Sequence, residues 1–372
     1  MIVGCPREIK PQEFRVGLTP NAVKEISLND HSVLIERNAG IGSGFTDEDY
    51  INSGAKIIDE PESIFLNSDM IVKVKEPQKA ERKFLREGQV LFTYLHLAPD
   101  LDQTKDLIES KCTAIAYETV TDDFGRLPLL APMSEVAGRL APQVGAWTLQ
   151  KANGGMGVLL GGVPGVPPAK VIVIGGGVVG VNAARVASGM GADVTIIERS
   201  ITRLSFLDEM YTGMFKTIYS NAANTEHFLT EADLLIGAVL IPGASAPKLV
   251  SREHLKLMKN GSAIVDVAID QGGCFETSKP TTHEDPIYEV DGVIHYCVAN
   301  MPGAVARTST IALGNATMPF ILSLLNKGWK NACEEDPHLL NGLNVHSGHL
   351  TYEAVGRALN IKTVDPKSAL KL

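Results

Sequence analysis

Short apolar runs rich in Val and Ile alternate with longer amphipathic stretches along most of the chain. The runs at 2–5, 32–35, 70–75, 90–95 and 114–117 predict one set of strands, and those at 170–174, 193–197, 234–238, 262–267 and 293–296 predict a second. Helix-like segments such as 21–29, 101–110 and 179–190 lie between them. Repeated β-α alternation with β-branched strands implies parallel sheets covered by helices. Residues 308–329 predict a long helix kinked near Pro319, because a proline inside a helix lacks an N–H and crowds the carbonyl four residues back. That helix follows the last strand of the second set, so it can carry the chain back and make the first domain discontinuous; periodicity alone does not decide this. The stretch 153–169, NGGMGVLLGGVPGVPPA, breaks regular structure and reads as a linker or surface loop.

The second strand set opens with KVIVIGGGVVG at 170–180. Gly175-x-Gly177-x-x-Gly180 follows a strand and opens a helix, and a second strand ends in the acidic Glu198 about 20 residues on. In such a turn Gly175 permits the tight bend, Gly177 lets backbone approach a pyrophosphate, and Gly180 lets the helix pack against the strand. The helix N-terminus then offers free N–H groups and a positive dipole end to phosphate. Glu198 can accept hydrogen bonds from the adenosine ribose hydroxyls and would repel a 2′-phosphate, which favours NAD. Arg199 and Arg203 pull the other way, since a nearby guanidinium is how such folds tolerate that phosphate.

Composition narrows the classes. The 372 residues give room for about two domains. A net charge of −9 without a basic block argues against a nucleic-acid surface. The apolar stretch 171–184 is glycine-rich and too short for the ~20 residues that span a bilayer, and MIVGCPREIK does not read as a secretory signal. Cys5, Cys112, Cys274, Cys297 and Cys333 are odd in number and far apart, which fits buried thiols in a reducing, cytoplasmic-type compartment.

Ligands of open α/β sheets bind beyond the carboxyl ends of the strands. That rule selects Lys75 at the end of MIVKVK, His96 just after VLFTYL, Asp270 just after SAIVDVAI, and Arg15 in the loop after the first strand. Two fixed cations and two proton-transfer groups suit a small carboxylate whose neighbouring carbon gains or loses a hydride. Each has a plainer reading: Lys73 and Lys75 as a solvated strand face, His96 as a partner in a polar cluster, Asp270 as the cap of a turn before Gly272 and Gly273, Arg15 as a partner of Glu8 or Glu13. No H-x-x-x-H spacing supports a bound metal.

The segments PREIKPQEFRVGLTP (6–20), VKVKEP (72–77), LFTYLHLA (91–98), PLLAPMSEVAGRLA (128–141), LLGGVPGVPPAKVIVIGGGVVG (159–180) and VANMPGAVARTST (298–310) resemble the alanine dehydrogenase branch of the alanine dehydrogenase and transhydrogenase NAD-binding family. The resemblance covers essentially the whole chain. It implies two Rossmann-like α/β domains: a substrate domain in two parts, 1–128 and 307–372, and an NAD-binding domain, 129–306, with the active site in the cleft between them. It also implies an NAD-dependent L-alanine dehydrogenase acting on L-alanine, pyruvate and ammonium, usually a homohexamer. By this resemblance Arg15 and Lys75 hold the substrate carboxylate, and His96 and Asp270 are the acid–base pair. Ser134, Val178, Glu198, Arg203, Ser220, Val239, Leu240, Val267, Ala268, Ile269, Asp270, Lys279, Val298, Ala299, Asn300 and Met301 match cofactor contacts. Glu198 stands where aspartate is common, Arg203 where lysine is, and Lys279 where arginine is; each keeps its charge, but Lys279 loses the planar fork. Two alternatives share the fold and differ at the site: a soluble NAD(H)-binding component of a proton-translocating transhydrogenase, and an opine-type dehydrogenase.

Overall fold

The computed structural model describes residues 1–239 and 246–371. The chain forms two compact units, one made of Met1–Met133 and the stretch from Val305 onward, the other of Ser134–Ala304. The strands are β1 Ile2–Cys5, β2 Ser32–Glu36, β3 Lys56–Ile58, β4 Met70–Val72, β5 Val90–Thr93, β6 Thr113–Ala116, β7 Lys170–Ile174 and β8 Asp193–Glu198. They continue as β9 Lys216–Tyr219, β10 Leu234–Gly237, β11 Ala263–Asp266, β12 Ile287–Val290, β13 Val293–Tyr296, β14 Leu343–His346 and β15 His349–Leu350.

In the first unit the sheet order is β15-β14-β6-β5-β4-β1-β2-β3. The strands from β6 to β3 are parallel, and β14 joins β6 antiparallel with a register irregularity between Leu343 and Val345. In the second unit the order is β12-β13-β11-β10-β7-β8-β9, parallel except for the β12 edge. Both sheets start in the middle, wind outward one way, then reverse: at β1/β4 in one unit and at β7/β10 in the other. The reversal leaves a crevice at the strand carboxyl ends, the usual ligand position in such sheets. The first domain is thus discontinuous, because β14 and β15 complete its sheet. The apolar faces are buried in clusters that include Ile64, Phe65, Ile71 and Leu91 in one unit and Ile172, Ile174, Leu235 and Phe275 in the other.

Several expected elements shift. The strand predicted over 70–75 stops at Val72, because the next free N–H groups, of Val74 and Lys75, are taken by the Glu8 carboxylate and not by a strand ladder. The edge strands β3, β9 and β12 carry exposed or half-buried residues and lack the continuous apolar run that marks buried ones. The long helix runs Ala306–Glu335, and its departure from helical dihedrals falls at Gly328 (φ 74°, ψ 152°), not at Pro319, which sits inside the helix. By length and composition Met301–Glu335 is apolar enough to cross a membrane. It is a core helix of its unit, with Leu313, Ile321, Leu324 and Leu325 buried and Thr310 hydrogen-bonded to the Arg15 loop through the Val16 N–H. All five cysteines are free and buried.

Candidate functional site: a charged crevice and a phosphate-binding turn

The charged crevice sits in the first unit at the β1/β4 reversal. Residues 6–19 connect β1 to the helix Pro20–Leu28, and the loop turns Glu8, Glu13 and Arg15 inward. Glu8 is buried. Its Oε1 accepts from the N–H groups of Val74 at 2.7 Å and Lys75 at 3.2 Å, while its Oε2 lies 3.2 Å from Lys73 Nζ. Lys73 is fully buried and also reaches Glu81 at 2.8 Å. The idea that Lys73 and Lys75 share a solvated face is therefore wrong. Lys73 is the centre of a buried ion-pair triad that anchors the backbone bearing Lys75.

Arg15 is almost fully buried and paired with Glu13 through two parallel bonds, Nε–Oε1 at 2.7 Å and Nη2–Oε2 at 2.6 Å. Its Nη1 approaches Met133 Sδ at 3.2 Å. Glu13 thus holds the edge of the fork best suited to a second bidentate carboxylate. Lys75 is the contrasting cation. Burial, then the charge of Arg15, lowers its pKa, and among the described residues its ammonium makes no ion pair or side-chain hydrogen bond. Lys75 is half-buried; a partly desolvated ammonium without an ion pair is costly, and an anion in the crevice would relieve that cost.

His96 follows β5 with a left-handed backbone (φ 50°), uncommon for a residue with a side chain. Glu118, beyond β6, holds this conformation by accepting from the His96 N–H at 2.6 Å and the Leu95 N–H at 3.1 Å. The ring lies 5.8 Å from that of Tyr94, whose hydroxyl bonds the Leu129 carbonyl at 2.5 Å. Nδ1 is 3.7 Å from Glu76 Oε2. Arg15, Lys75 and His96 therefore share one crevice. Glu8, Glu76 and Glu118, which position them, were missed as functional residues, because a carboxylate that will be buried looks like any surface carboxylate in a sequence.

The phosphate-binding turn lies in the second unit, between β7 and the helix Val178–Gly189. Gly175 has φ 103°. A Cβ at Gly180 would stand 1.8 Å from the Gly175 carbonyl oxygen, whereas one at Gly177 would meet nothing within 4 Å. The first contact enforces close helix–strand packing, and the open space at Gly177 is where a pyrophosphate would approach the backbone. Gly177 is the N-cap of this helix and makes no side-chain cap bond, so the first-turn N–H groups are available for an anion. Glu198 ends β8, with Oε2 accepting from the Gly176 N–H at 2.7 Å and Oε1 from the N–H groups of Arg199 at 2.7 Å and Ser200 at 2.8 Å. Arg203 Nε donates to the Gly176 carbonyl at 2.6 Å. The acidic residue and the arginine thus clasp the turn itself as well as its surroundings.

The other expected cofactor positions spread over this unit. Ser220 follows β9, where its N–H donates to the Glu198 carbonyl, and Val239 follows β10. Leu240 lies outside the described residues. Val267, Ala268, Ile269 and Asp270 form a short 3₁₀ turn after β11, ending at Gly272 with φ 90°. The neighbouring Asp266, which sequence reasoning passed over, is fully buried and accepts from Ala268 N–H, Cys274 N–H and Ser278 Oγ, fixing the loop that carries Asp270. Lys279 is exposed and its N–H donates to Tyr288 Oη. Val298 and Met301 are buried, Ala299 exposed and Asn300 half-buried. Val178 is 44% exposed and Ser134 half-buried.

Two doubly wound sheets, one with a dinucleotide-type turn and one with a cationic crevice, define a nucleotide-dependent two-domain α/β protein. Residues 4–137 match the family model "Alanine dehydrogenase/PNT, N-terminal domain" and residues 141–353 match "Alanine dehydrogenase/PNT, C-terminal domain"; the chain belongs to this family. It is 56% identical over 370 residues to an alanine dehydrogenase of Halomonas elongata. It is 54% identical over 371 residues to one of Methanococcus maripaludis, and both pairs are covered end to end. A solved L-alanine dehydrogenase superposes with a TM-score of 0.94 at 50% identity, covering 97% of this chain and 99% of that one. A transhydrogenase from Sinorhizobium meliloti superposes with a TM-score of 0.82 at 24% identity, covering 94% and 100%, a likeness of fold.

Proposed function

We infer that this chain is a nicotinamide-dependent amino-acid dehydrogenase that interconverts L-alanine with pyruvate and ammonia, and that its cofactor is NAD. The observation that carries the reading is identity above half, over the full length, to alanine dehydrogenases. The transhydrogenase-component reading has behind it the joint family model and a shared fold at 24% identity, and the opine-type reading has no observation of its own. NAD over NADP is favoured by Glu198 at the end of β8, where a 2′-phosphate would meet a carboxylate.

Bound NAD would supply the hydride acceptor, with Gly175, Gly177 and Gly180 forming its phosphate turn and Glu198 its ribose acceptor. Ser134, Val178, Arg203, Ser220, Val239, Leu240, Val267, Ala268, Ile269, Lys279, Val298, Ala299, Asn300 and Met301 complete the proposed cofactor set. Lys75 holds the substrate carboxylate as its direct counter-ion. Arg15, held by Glu13, contributes charge and its Nη1 edge. Fixing the carboxylate orients Cα, and such positioning can contribute several kcal/mol. The amine must be neutral for Cα to release a hydride with its electron pair, leaving an iminium. Water adds to that carbon, and the resulting carbinolamine expels ammonia to give pyruvate. His96 and Asp270 are the groups that take the proton from water and return one to the leaving amine. The proposal extends to a cytoplasmic homohexamer, supported by the family resemblance and by five free thiols.

The deciding assay is NADH oxidation by the purified protein with pyruvate and ammonium. Turnover dependent on both substrates supports the reading; NADH binding without turnover overturns it in favour of a transhydrogenase component.

A further inference from the structure

We propose that Glu76 is a positioning residue for His96: its inward oxygen holds the ring by Nδ1, leaving Nε2 as the nitrogen that exchanges protons with substrate. The inference rests on the reading of His96 as a proton-transfer group. Glu76 follows β4 and its side chain is only 13% exposed, against 43% for His96. Its Oε1 is bound by Lys10 from the loop after β1. Its Oε2 is buried and has no hydrogen-bond donor among the described residues, although a buried carboxylate oxygen normally finds one. The nitrogen that faces it is His96 Nδ1, at 3.7 Å, an ion-pair distance that a small ring movement would turn into a hydrogen bond. Catalytic hydrogen bonds are often long until substrate binds. Such a bond puts the proton on Nδ1 and selects the tautomer.

The charges around the ring suit this arrangement. Burial alone would raise the pKa of Glu76, but His96, Lys10 and Lys75 together hold it well below the usual carboxylate range, so it stays an anion at working pH. Tyr94 stands beside the ring, and burial raises its pKa, so it remains a neutral phenol. Glu118 is committed to the Leu95 and His96 backbone N–H groups. Arg15 is committed to Glu13. Glu76 is therefore the carboxylate that faces Nδ1, and Lys10 is the cation that competes with the ring for it.

The test is the pH profile of kcat at saturating pyruvate, ammonium and NADH, in wild type, Glu76→Gln and Lys10→Gln. Removing the Glu76 charge should move the ionisation nearest neutrality down by about one unit and lower kcat about tenfold, with NADH affinity unchanged. Removing Lys10 should move the same ionisation upward, by about a third of a unit. A merely structural role would not give shifts of opposite sign. An unmoved ionisation in both variants, or wild-type kcat in Glu76→Gln, overturns the proposal. Should Glu76→Gln fail to fold, Lys10→Gln decides alone, since Lys10 is 41% exposed at its side chain; an unmoved ionisation there overturns it. His96→Ala separates the two readings: if it keeps turnover, the role of His96 itself is wrong.

Discussion

The two units share one winding and differ in the connection after the first strand. In the second unit three glycines, 175–177, join β7 to its helix; in the first, fourteen residues, 6–19, join β1 to its helix. The short turn brings a helix N-terminus to the sheet edge and leaves room for phosphate. The long loop fills the equivalent place with Glu8, Glu13, Arg15 and Lys10, and so builds a small charged crevice. On the proposed reading one fold serves two ligand classes, and the difference lies in side chains grafted on one loop.

Breaking the loop-built crevice should have the largest effect. Lys73→Met leaves the buried Glu8 and Glu81 unpaired and should cost about 3–5 kcal/mol of stability in urea unfolding. The pH window follows from Lys73: burial pulls its pKa down, but Glu8 and Glu81 outweigh this and raise it above the ordinary 10.5. On the alkaline side the advantage of wild type over the mutant should persist to about pH 10.4 and be lost only as pH rises through the raised value; on the acid side it shrinks as Glu8, whose pKa burial raises, takes up a proton. An advantage already lost as pH rises from neutrality to about 10 would refute the triad.

Lys75→Ala sharpens the comparison by touching only one ligand. It should lower kcat/KM for pyruvate about a hundredfold, the cost of losing one partner of a desolvated charge pair, with NADH affinity kept. Since the Lys75 pKa is lowered, KM for pyruvate should climb with alkaline pH sooner than a free lysine would dictate. Unchanged pyruvate kinetics would remove Lys75 from the crevice.

The glycine turn offers an internal contrast. Gly180→Ala places a Cβ against backbone and should destabilise by about 1–3 kcal/mol, with NADH binding impaired. Gly177→Ala meets open space at φ −72°. Its stability should stay within about 0.5 kcal/mol of wild type, while NADH affinity falls. If stability and NADH affinity fall together at Gly177, the turn is structural and not a ligand cradle.

The smallest effect is expected at Glu198→Ser. The carboxylate clasps three backbone N–H groups, so its loss should loosen the turn for both dinucleotides. The NADH/NADPH preference should still drop, by about tenfold (1.4 kcal/mol), within the reach of one near-surface charge. A constant ratio would assign Glu198 to the turn alone.

The central strands were legible because each is a β-branched run in a register that buries both faces. β1, β7 and β13 match their predicted bounds. The glycine turn was legible because only glycine satisfies its backbone approach. β14 and β15 were not, since β15 is only two residues long and β14, though largely buried, pairs with β6 across more than two hundred residues. Arg15, Lys75 and His96 were legible as candidates from their places at strand ends.

What surrounds those three residues was decided by tertiary structure. The sequence offered Glu8 and Glu13 equally as partners of Arg15, and nothing in the spacing says that Glu13 takes that fork while Glu8 pins the Lys75 backbone, Glu76 faces His96 and Glu118 holds its left-handed backbone. Sequence periodicity encodes which face of an element is buried. The partner of a buried charge depends on which distant segment arrives beside it, and desolvation then makes that partnership obligatory.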